Sequence, residues 1–131
     1  LGLGLEDRFR ISVGLLSGGQ RQALTMVMAA MVRPELLLLD EHTAALDPKT
    51  AQQILEITRN IVEEQKLTTL MVTHNMNHAL KLGNRLVMLH RGRIILDIRD
   101  QEKQNLRVED LLARFYELRG EAFSSDKMLL A

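Results

Sequence analysis

The feature that most constrains the fold is an alternation between short, continuous apolar runs and longer segments with helical periodicity. Residues 36–39 are four leucines, and residues 68–73 read TTLMVT, which is rich in β-branched side chains. Between them, residues 47–64 place apolar side chains at helical spacing after an Asp-Pro pair that favours a helix start. Strand, helix and strand in this order predict a right-handed βαβ unit. We therefore predict an α/β fold, with residues 36–39 as a strand buried in a parallel sheet.

Further elements are predicted on both sides of this unit. A helix is expected from Gly18 to near Pro34, and a short one over residues 75–82. Two strands joined by a tight turn at Arg91-Gly92 predict an antiparallel hairpin at one margin of the sheet. Residues 108–115 have the spacing of a last amphipathic helix, and we expect residues 120–131 to form a frayed tail.

Composition limits the classes of function. The chain has 131 residues, of which 46% are hydrophobic, enough for one compact domain and too few for two. Its net charge is zero, so nucleic acid is not an expected partner. It contains no cysteine, which excludes disulfides, thiolate metal sites and cysteine nucleophiles. Because it opens on Leu1 and not on Met, we expect the sequence to begin inside a longer protein.

Two consecutive acids end the first predicted strand. Ligands of parallel α/β sheets bind beyond the carboxyl ends of the strands, where Asp40 and Glu41 are expected. A single acid there is commonly a solvated turn residue or a helix cap. A pair of acids after a buried strand indicates instead a magnesium-binding carboxylate beside a residue that orients or deprotonates water.

His74 and a glycine pair extend this candidate site. His74 follows the second parallel strand, so we expect it at the same sheet edge; the alternative is a polar cap on the next helix. Ser17, Gly18 and Gly19 open a helix whose exposed amides suit an anion. The alternative for these three is a simple serine cap followed by two flexible glycines.

Four motifs, in order and spacing, resemble the C-terminal part of an ABC-type ATPase domain. LSGGQ at residues 16–20 is similar to the signature motif of that family, and LLLLDE at residues 36–41 to its Walker B strand and catalytic glutamate. AALD at residues 44–47 resembles the D-loop, and VTH at residues 72–74 the switch histidine. The resemblance implies a P-loop NTPase-like parallel sheet flanked by helices, incomplete here, with a C-terminal β-hairpin and helix.

The resemblance also implies a division of the chain. Residues 1–34 would be the end of a helical subdomain that carries the signature motif. Residues 35–119 would be the RecA-like part.

The resemblance implies catalytic roles around ATP and Mg²⁺. Asp40 would hold the magnesium through its water shell. Glu41 would act as general base on the attacking water, and His74 would contact the γ-phosphate.

It also implies contacts across a head-to-tail dimer of two such domains. Ser17 and the amides of Gly18 and Gly19 would reach the γ-phosphate bound by the other subunit. Gln20 would support that loop, and Asp47 would help to couple the two sites.

The sequence departs from the family pattern at three points. His42 stands where proline usually follows the glutamate, and Ala44 where serine is common. No glycine is followed by lysine, so the phosphate-cradling motif G-x-x-x-x-G-K-[ST] is missing. We expect that these 131 residues alone neither bind ATP tightly nor hydrolyse it, and that an uncovered sheet face causes aggregation or a loose fold.

The function implied by the resemblance is that of an ATPase subunit of a bacterial membrane importer. Such a subunit would be cytoplasmic and peripheral on the inner face of the cell membrane. Its partners would be a second ATPase subunit, a transmembrane permease subunit and a solute-binding protein, with no nucleic acid. The alternatives are an ABC-type ATPase of DNA repair or chromosome maintenance, and a truncated, catalytically silent remnant.

Overall fold

The computed structural model describes residues 3–119. After a single 3₁₀ turn at Val13–Leu15, the elements in chain order are α1 (Gly18–Met31), β1 (Leu37–Asp40), α2 (Pro48–Gln65), β2 (Thr69–Val72), α3 (Met76–Lys81), β3 (Arg85–His90), β4 (Arg93–Arg99), α4 (Asp100–Gln104) and α5 (Val108–Arg119). They form two compact units, one ending at Val72 and one beginning at Thr73. None of the helices over these residues has the length and apolar content needed to cross a bilayer.

The first unit contains the predicted βαβ arrangement. β1 pairs with β2 in parallel, from Leu37 opposite Thr69 to Asp40 opposite Val72. α2 connects the two strands and ends at Gln65, and the left-handed backbone of the C-cap residue Lys66 (φ 54°) closes the helix. The α/β prediction is therefore confirmed, and α1 ends at Met31, before Pro34, as expected.

The prediction that β1 is buried within the sheet is wrong for one of its two faces. Leu37 and Leu39 are buried with Met26 of α1 against apolar residues of α2 and β2. On the other face, Leu38 is 65% exposed and Leu70 of β2 is 59% exposed. Successive side chains of a strand point to opposite faces, and α1 and α2 both pack on the same one. The opposite face therefore stays accessible.

The second unit is built around the predicted hairpin. β3 and β4 are antiparallel and joined at Arg91 and Gly92, whose φ values of 47° and 74° are those that a two-residue type I′ turn requires. Buried apolar residues of the hairpin pack with α5 and with partly buried residues of α3. These core residues are Leu86, Leu96, Ile98 and Leu111.

The hairpin was expected at the margin of the parallel sheet, and this expectation is wrong. Within residues 3–119, β3 and β4 form a two-stranded sheet of their own. The physical reason is that the hairpin buries its apolar face on helices of its own unit. α4 was not predicted, α5 begins at Val108 as expected, and the predicted frayed tail at residues 120–131 lies outside the described residues.

Candidate functional site

Asp40 and Glu41 lie at the carboxyl end of the parallel strand pair. Asp40 is the last residue of β1, stands opposite Val72 and is exposed. The backbone amide of Glu41 donates a hydrogen bond to the carbonyl oxygen of Val72 at 3.0 Å, so Glu41 follows directly on the last rung of the ladder. Both acids therefore occupy the sheet edge at which α/β proteins bind ligands.

Glu41 has an unusual backbone conformation. Its φ of +46° lies in the left-handed region, which glutamate rarely adopts because its Cβ is crowded there. The carbonyl oxygen of Glu41 accepts a hydrogen bond from the amide of Ala44 at 3.0 Å, which closes a tight turn after the strand. Such conformations cost about 1–3 kcal/mol and persist only where the surroundings hold them. The sequence gives no signal of this conformation.

His42, the residue that departs from the family pattern, is anchored on α2. Its Nε2 lies 3.3 Å from the Oγ1 of Thr58, and the two share a hydrogen bond. The side chain of Thr58 is only 6% exposed, in the middle of the apolar stripe of α2. Sequence reasoning missed this pair, although a hydroxyl within an apolar helix stripe is a signal that a polar partner is required.

Ser17 and Gln20 form a reciprocal cap at the start of α1. The hydroxyl of Ser17 accepts from the amide of Gln20 at 3.2 Å, and Gln20 Oε1 accepts from the amide of Ser17 at 3.0 Å. Gln20 Nε2 also donates to the carbonyl oxygen of Leu3 at 2.9 Å. Gln20 thus supports the segment at residues 16–20, called here the glycine turn, on two sides.

The glycine turn has the electrostatics of an anion-binding helix start. The first hydrogen bond within the helix runs from the amide of Arg21 to the carbonyl oxygen of Ser17 at 2.9 Å. The amides of Gly18 and Gly19 come before it in the chain, so α1 itself offers them no acceptor. Ser17 and Gly18 are exposed, and the first turn of α1 contains no acidic residue. The arrangement suits a phosphate group.

The two glycines also bring α1 against the start of α2. A Cβ added to Gly19 would lie 2.2 Å from Cγ2 of Thr50, and one added to Gly18 would lie 3.3 Å from Cδ2 of Leu46. Gly19 is therefore required by the close approach of α2, a role that the sequence did not reveal. The glycine turn packs directly against Leu46 and Thr50.

Asp47 is the N-cap of α2. Its Oδ1 accepts a hydrogen bond from the amide of Thr50 at 3.1 Å. Hydrogen bonds from Thr50, first through the side chain and then through the backbone, hold the pKa of Asp47 below its ordinary value. Thr50 also contacts Gly19, so a single residue touches both the cap of α2 and the glycine turn.

His74 belongs to the second compact unit, and its proximity to the two acids stays a prediction. The alternative that it caps α3 is wrong, because the N-cap is Asn75, whose Oδ1 accepts from the amide of His78 at 3.1 Å. Thr73 Oγ1 accepts from the amide of Asn75 at 3.1 Å, which fixes the turn around His74. His74 itself is exposed.

The residues present fit Mg²⁺ and a nucleotide. In the part of the chain that the structure describes, no three acidic or histidine side chains form a cluster that could hold a metal ion. Mg²⁺ does not require one, because it is usually bound through one or two carboxylates with water and substrate phosphates. The exposed carboxylate of Asp40 at the strand end is a group of this kind, and the helix start at the glycine turn has the geometry that suits a phosphate.

Known proteins resemble this chain in sequence. A family model described as ABC transporter matches residues 2–44. A tyrosine transport ATP-binding protein of Clostridioides difficile (strain R20291) is 54% identical over 115 residues, which cover 88% of this chain and 46% of that protein. A methionine import ATP-binding protein of Bacillus licheniformis is 41% identical over 93 residues, 71% of this chain and 28% of its own length. The chain thus spans less than half the length of these curated relatives.

Solved structures resemble it in fold. A nucleotide-free ATP-binding cassette from an ABC transporter superposes with a TM-score of 0.66 at 25% identity, covering 85% of this chain and 42% of that one. A transporter of the metal-chelate ABC type in an inward-facing conformation has a TM-score of 0.69 at 28% identity, over 87% of this chain and 45% of that one. The α/β fold is therefore that of part of a P-loop NTPase domain.

Proposed function

This chain is part of an ATP-binding domain of the ABC transporter family, and we propose that it supplies half of the ATP-hydrolysing site of a bacterial importer. The observation that carries the proposal is the position of Asp40 and Glu41 at the carboxyl end of the β1–β2 pair. Phosphoryl transfer needs a magnesium ligand and a water-orienting base at one place, and these two neighbours offer both.

In this proposal the acids divide the work at the strand end. Asp40 would hold Mg²⁺, and Glu41 would accept a proton from the attacking water. His74, exposed in the turn that precedes α3, contacts the γ-phosphate. When bound, the metal offsets negative charge on the phosphates.

The glycine turn acts on the nucleotide of a second copy of the domain. Ser17 and the amides of Gly18 and Gly19 present the partial positive charge of the helix start to that γ-phosphate, and their orientation is supported by the capping box with Gln20. Asp47 couples the two sites, a role supported by the contact that Thr50 makes with both Asp47 and Gly19.

The proposed assembly is a head-to-tail pair of ATP-binding domains, residues 1–34 belonging to the helical subdomain and residues 35–119 to the RecA-like part. The pair would dock on a transmembrane permease at the inner face of the membrane, with a solute-binding protein that delivers the solute. Relatives named for tyrosine transport and methionine import support an importer of small polar solutes.

The test is ATP hydrolysis by the complete subunit that carries this segment. Glu41→Gln should lower kcat at least about 100-fold, the usual contribution of a general base, and leave ATP binding intact. The matched control is Glu56→Gln, since Glu56 lies exposed on α2, where it accepts a hydrogen bond from Gln52 Nε2 at 3.0 Å. Equal activity of Glu41→Gln and wild type would refute the role of Glu41.

We further propose that residues 1–131 alone are insufficient for activity, because no Gly-Lys pair is available to cradle the phosphates. Calorimetry with ATP and Mg²⁺ should give no tight binding to the isolated segment. Steady turnover by that segment, abolished by Glu41→Gln, would refute this. Salt-sensitive binding to DNA by the complete subunit would instead favour an ATPase of DNA repair or chromosome maintenance.

A further inference from the structure

Three hydrogen bonds, called here anchors, hold Glu41 and His42 in the turn after β1, and one of them joins two side chains. Two are backbone hydrogen bonds, from the amide of Glu41 to Val72 and from the amide of Ala44 to Glu41, both 3.0 Å long. The third joins Nε2 of His42 to Oγ1 of Thr58 at 3.3 Å. Backbone bonds of this kind are open to many sequences, whereas the third requires these two side chains.

The third anchor holds His42, which directly follows Glu41 in the chain. Glu41 has a left-handed φ of +46°, and a glutamate relaxes from this region unless its neighbours prevent it. The two backbone hydrogen bonds use the amide and the carbonyl oxygen of Glu41. Fixing the side chain of His42 restricts the peptide that follows and hence the remaining rotation at Glu41.

Thr58 is a rigid point of attachment. It is 6% exposed and lies on the face of α2 that also buries Ile54 and Leu55. Its branched Cβ limits its rotamers within the helix. A proline at position 42 would restrict the backbone through its ring, which histidine lacks. The hydrogen bond to Thr58 instead restricts the side chain of His42.

We propose that His42, through its hydrogen bond to the buried hydroxyl of Thr58, is a positioning residue that holds Glu41 in the conformation from which it acts on water. This inference rests on the proposed ATPase function and adds to it two residues outside the matched motifs. His42 touches no substrate in this account and acts only through Glu41.

The experiment compares variants that remove the hydrogen bond between His42 and Thr58 with variants that keep it, in the complete ATP-binding subunit. His42→Leu and Thr58→Val remove the hydrogen bond, and each should lower kcat for ATP hydrolysis about fivefold to tenfold with KM for ATP unchanged. The amide of glutamine reaches where the histidine Nε2 lies, and serine keeps the hydroxyl. His42→Gln and Thr58→Ser should therefore retain most of the activity.

A double-mutant cycle tests whether the two residues act as one unit. His42→Leu combined with Thr58→Val should lose no more kcat than either single variant, because both remove the same contact. Additive losses would overturn the proposal. A lower melting temperature with kcat unchanged would also overturn it, because that result indicates a purely structural contact. Equal losses of kcat in the variants that keep the hydrogen bond and in those that remove it would overturn it as well.

Glu41→Gln separates this inference from the proposed function. If Glu41→Gln abolishes hydrolysis while His42→Leu leaves kcat unchanged, the inference fails and the ATPase function stands. If the wild-type subunit has no Glu41-dependent hydrolysis, the proposed function fails and the inference with it.

Discussion

Gly18 and Gly19 are neighbours in the chain, but a methyl group added to each would meet very different surroundings. At Gly18 it would contact the flexible end of Leu46 at 3.3 Å, and at Gly19 it would overlap Cγ2 of Thr50 at 2.2 Å. The branched side chain of Thr50 cannot move far within the first turn of α2. A side chain is therefore tolerated less well at Gly19 than at Gly18, although the amides of both residues lie at the same helix start.

Gly19→Ala should lower the free energy of unfolding of the complete subunit by about 1–3 kcal/mol, the usual cost of overpacking. Gly18→Ala is the matched control and should cost less. Adding Thr50→Ser to Gly19→Ala removes the clashing methyl group and should restore most of the stability. Urea unfolding followed by circular dichroism measures all three variants. A Gly19→Ala variant as stable as wild type would show that α1 and α2 separate easily.

The cap of α2 gives a pH dependence of known sign. Hydrogen bonds from Thr50 hold the pKa of Asp47 below its ordinary value of 3.8, so its contribution to stability is present at neutral pH and lost as pH falls through the lowered pKa. Asp47→Asn keeps a capping oxygen without the titration. The decrease in the urea midpoint from pH 7 to about pH 3 should be smaller in Asp47→Asn than in wild type. Equal decreases would contradict this assignment.

At the scale of elements, patterns that depend on near neighbours in the chain were predictable. The start of α2 after Asp47, the end of α1 before Pro34 and the turn at Arg91 and Gly92 were all predicted from local sequence. An uncovered sheet face was also expected, but which side chains of β1 it contains was not predictable, because four consecutive leucines do not tell which face a helix covers.

The candidate site shows the same limit. Periodicity and strand ends predicted where Asp40 and Glu41 lie. The hydrogen bond between His42 and Thr58 joins the turn after β1 to α2, and the left-handed backbone of Glu41 lies beside it in the same turn. Neither could be deduced from local propensities.

Lys103 connects two elements of the second unit. It is only 3% exposed, and its ammonium group donates to the carbonyl oxygens of Leu82 and of Gly83, the latter at 2.7 Å. These carbonyls follow the last turn of α3, where a helix leaves acceptors unsatisfied. Burial lowers the pKa of Lys103, so these two bonds stabilise a cation in a poorly hydrated position.

Lys103→Met should destabilise the complete subunit by about 1–3 kcal/mol, because it keeps the apolar stem and leaves the end of α3 without its donor. Lys81→Met, at an exposed position on α3, is the control and should be close to neutral. Chemical denaturation of both variants gives the comparison. If the two variants unfold alike, Lys103 does not support α3.

At the scale of the molecule, each unit has an apolar core and the first also has an apolar face in contact with solvent. Leu38, Leu70 and Val72, the last 51% exposed, extend across both parallel strands. A contiguous apolar patch on a sheet promotes association with other chains.

We therefore expect the isolated 131-residue segment to self-associate and to bind a hydrophobic dye. Replacing Leu38 and Leu70 by lysine should reduce both effects without loss of helical circular dichroism, since neither side chain lies in the buried cluster. Sedimentation velocity and dye fluorescence are the measurements. A wild-type segment that is monomeric and melts in one sharp transition would contradict the expectation.

The two sheets also differ in how far apart along the chain their partners lie, and this sets an order of folding. The hairpin strands are separated by the two-residue turn at Arg91 and Gly92, so they can meet within microseconds. β1 and β2 can pair only after the whole of α2 has closed the distance between them. During synthesis the βαβ segment leaves the ribosome first yet closes more slowly. The apolar residues of β1 and β2 are therefore accessible for longer after synthesis than those of the hairpin, at the stage when chaperones act.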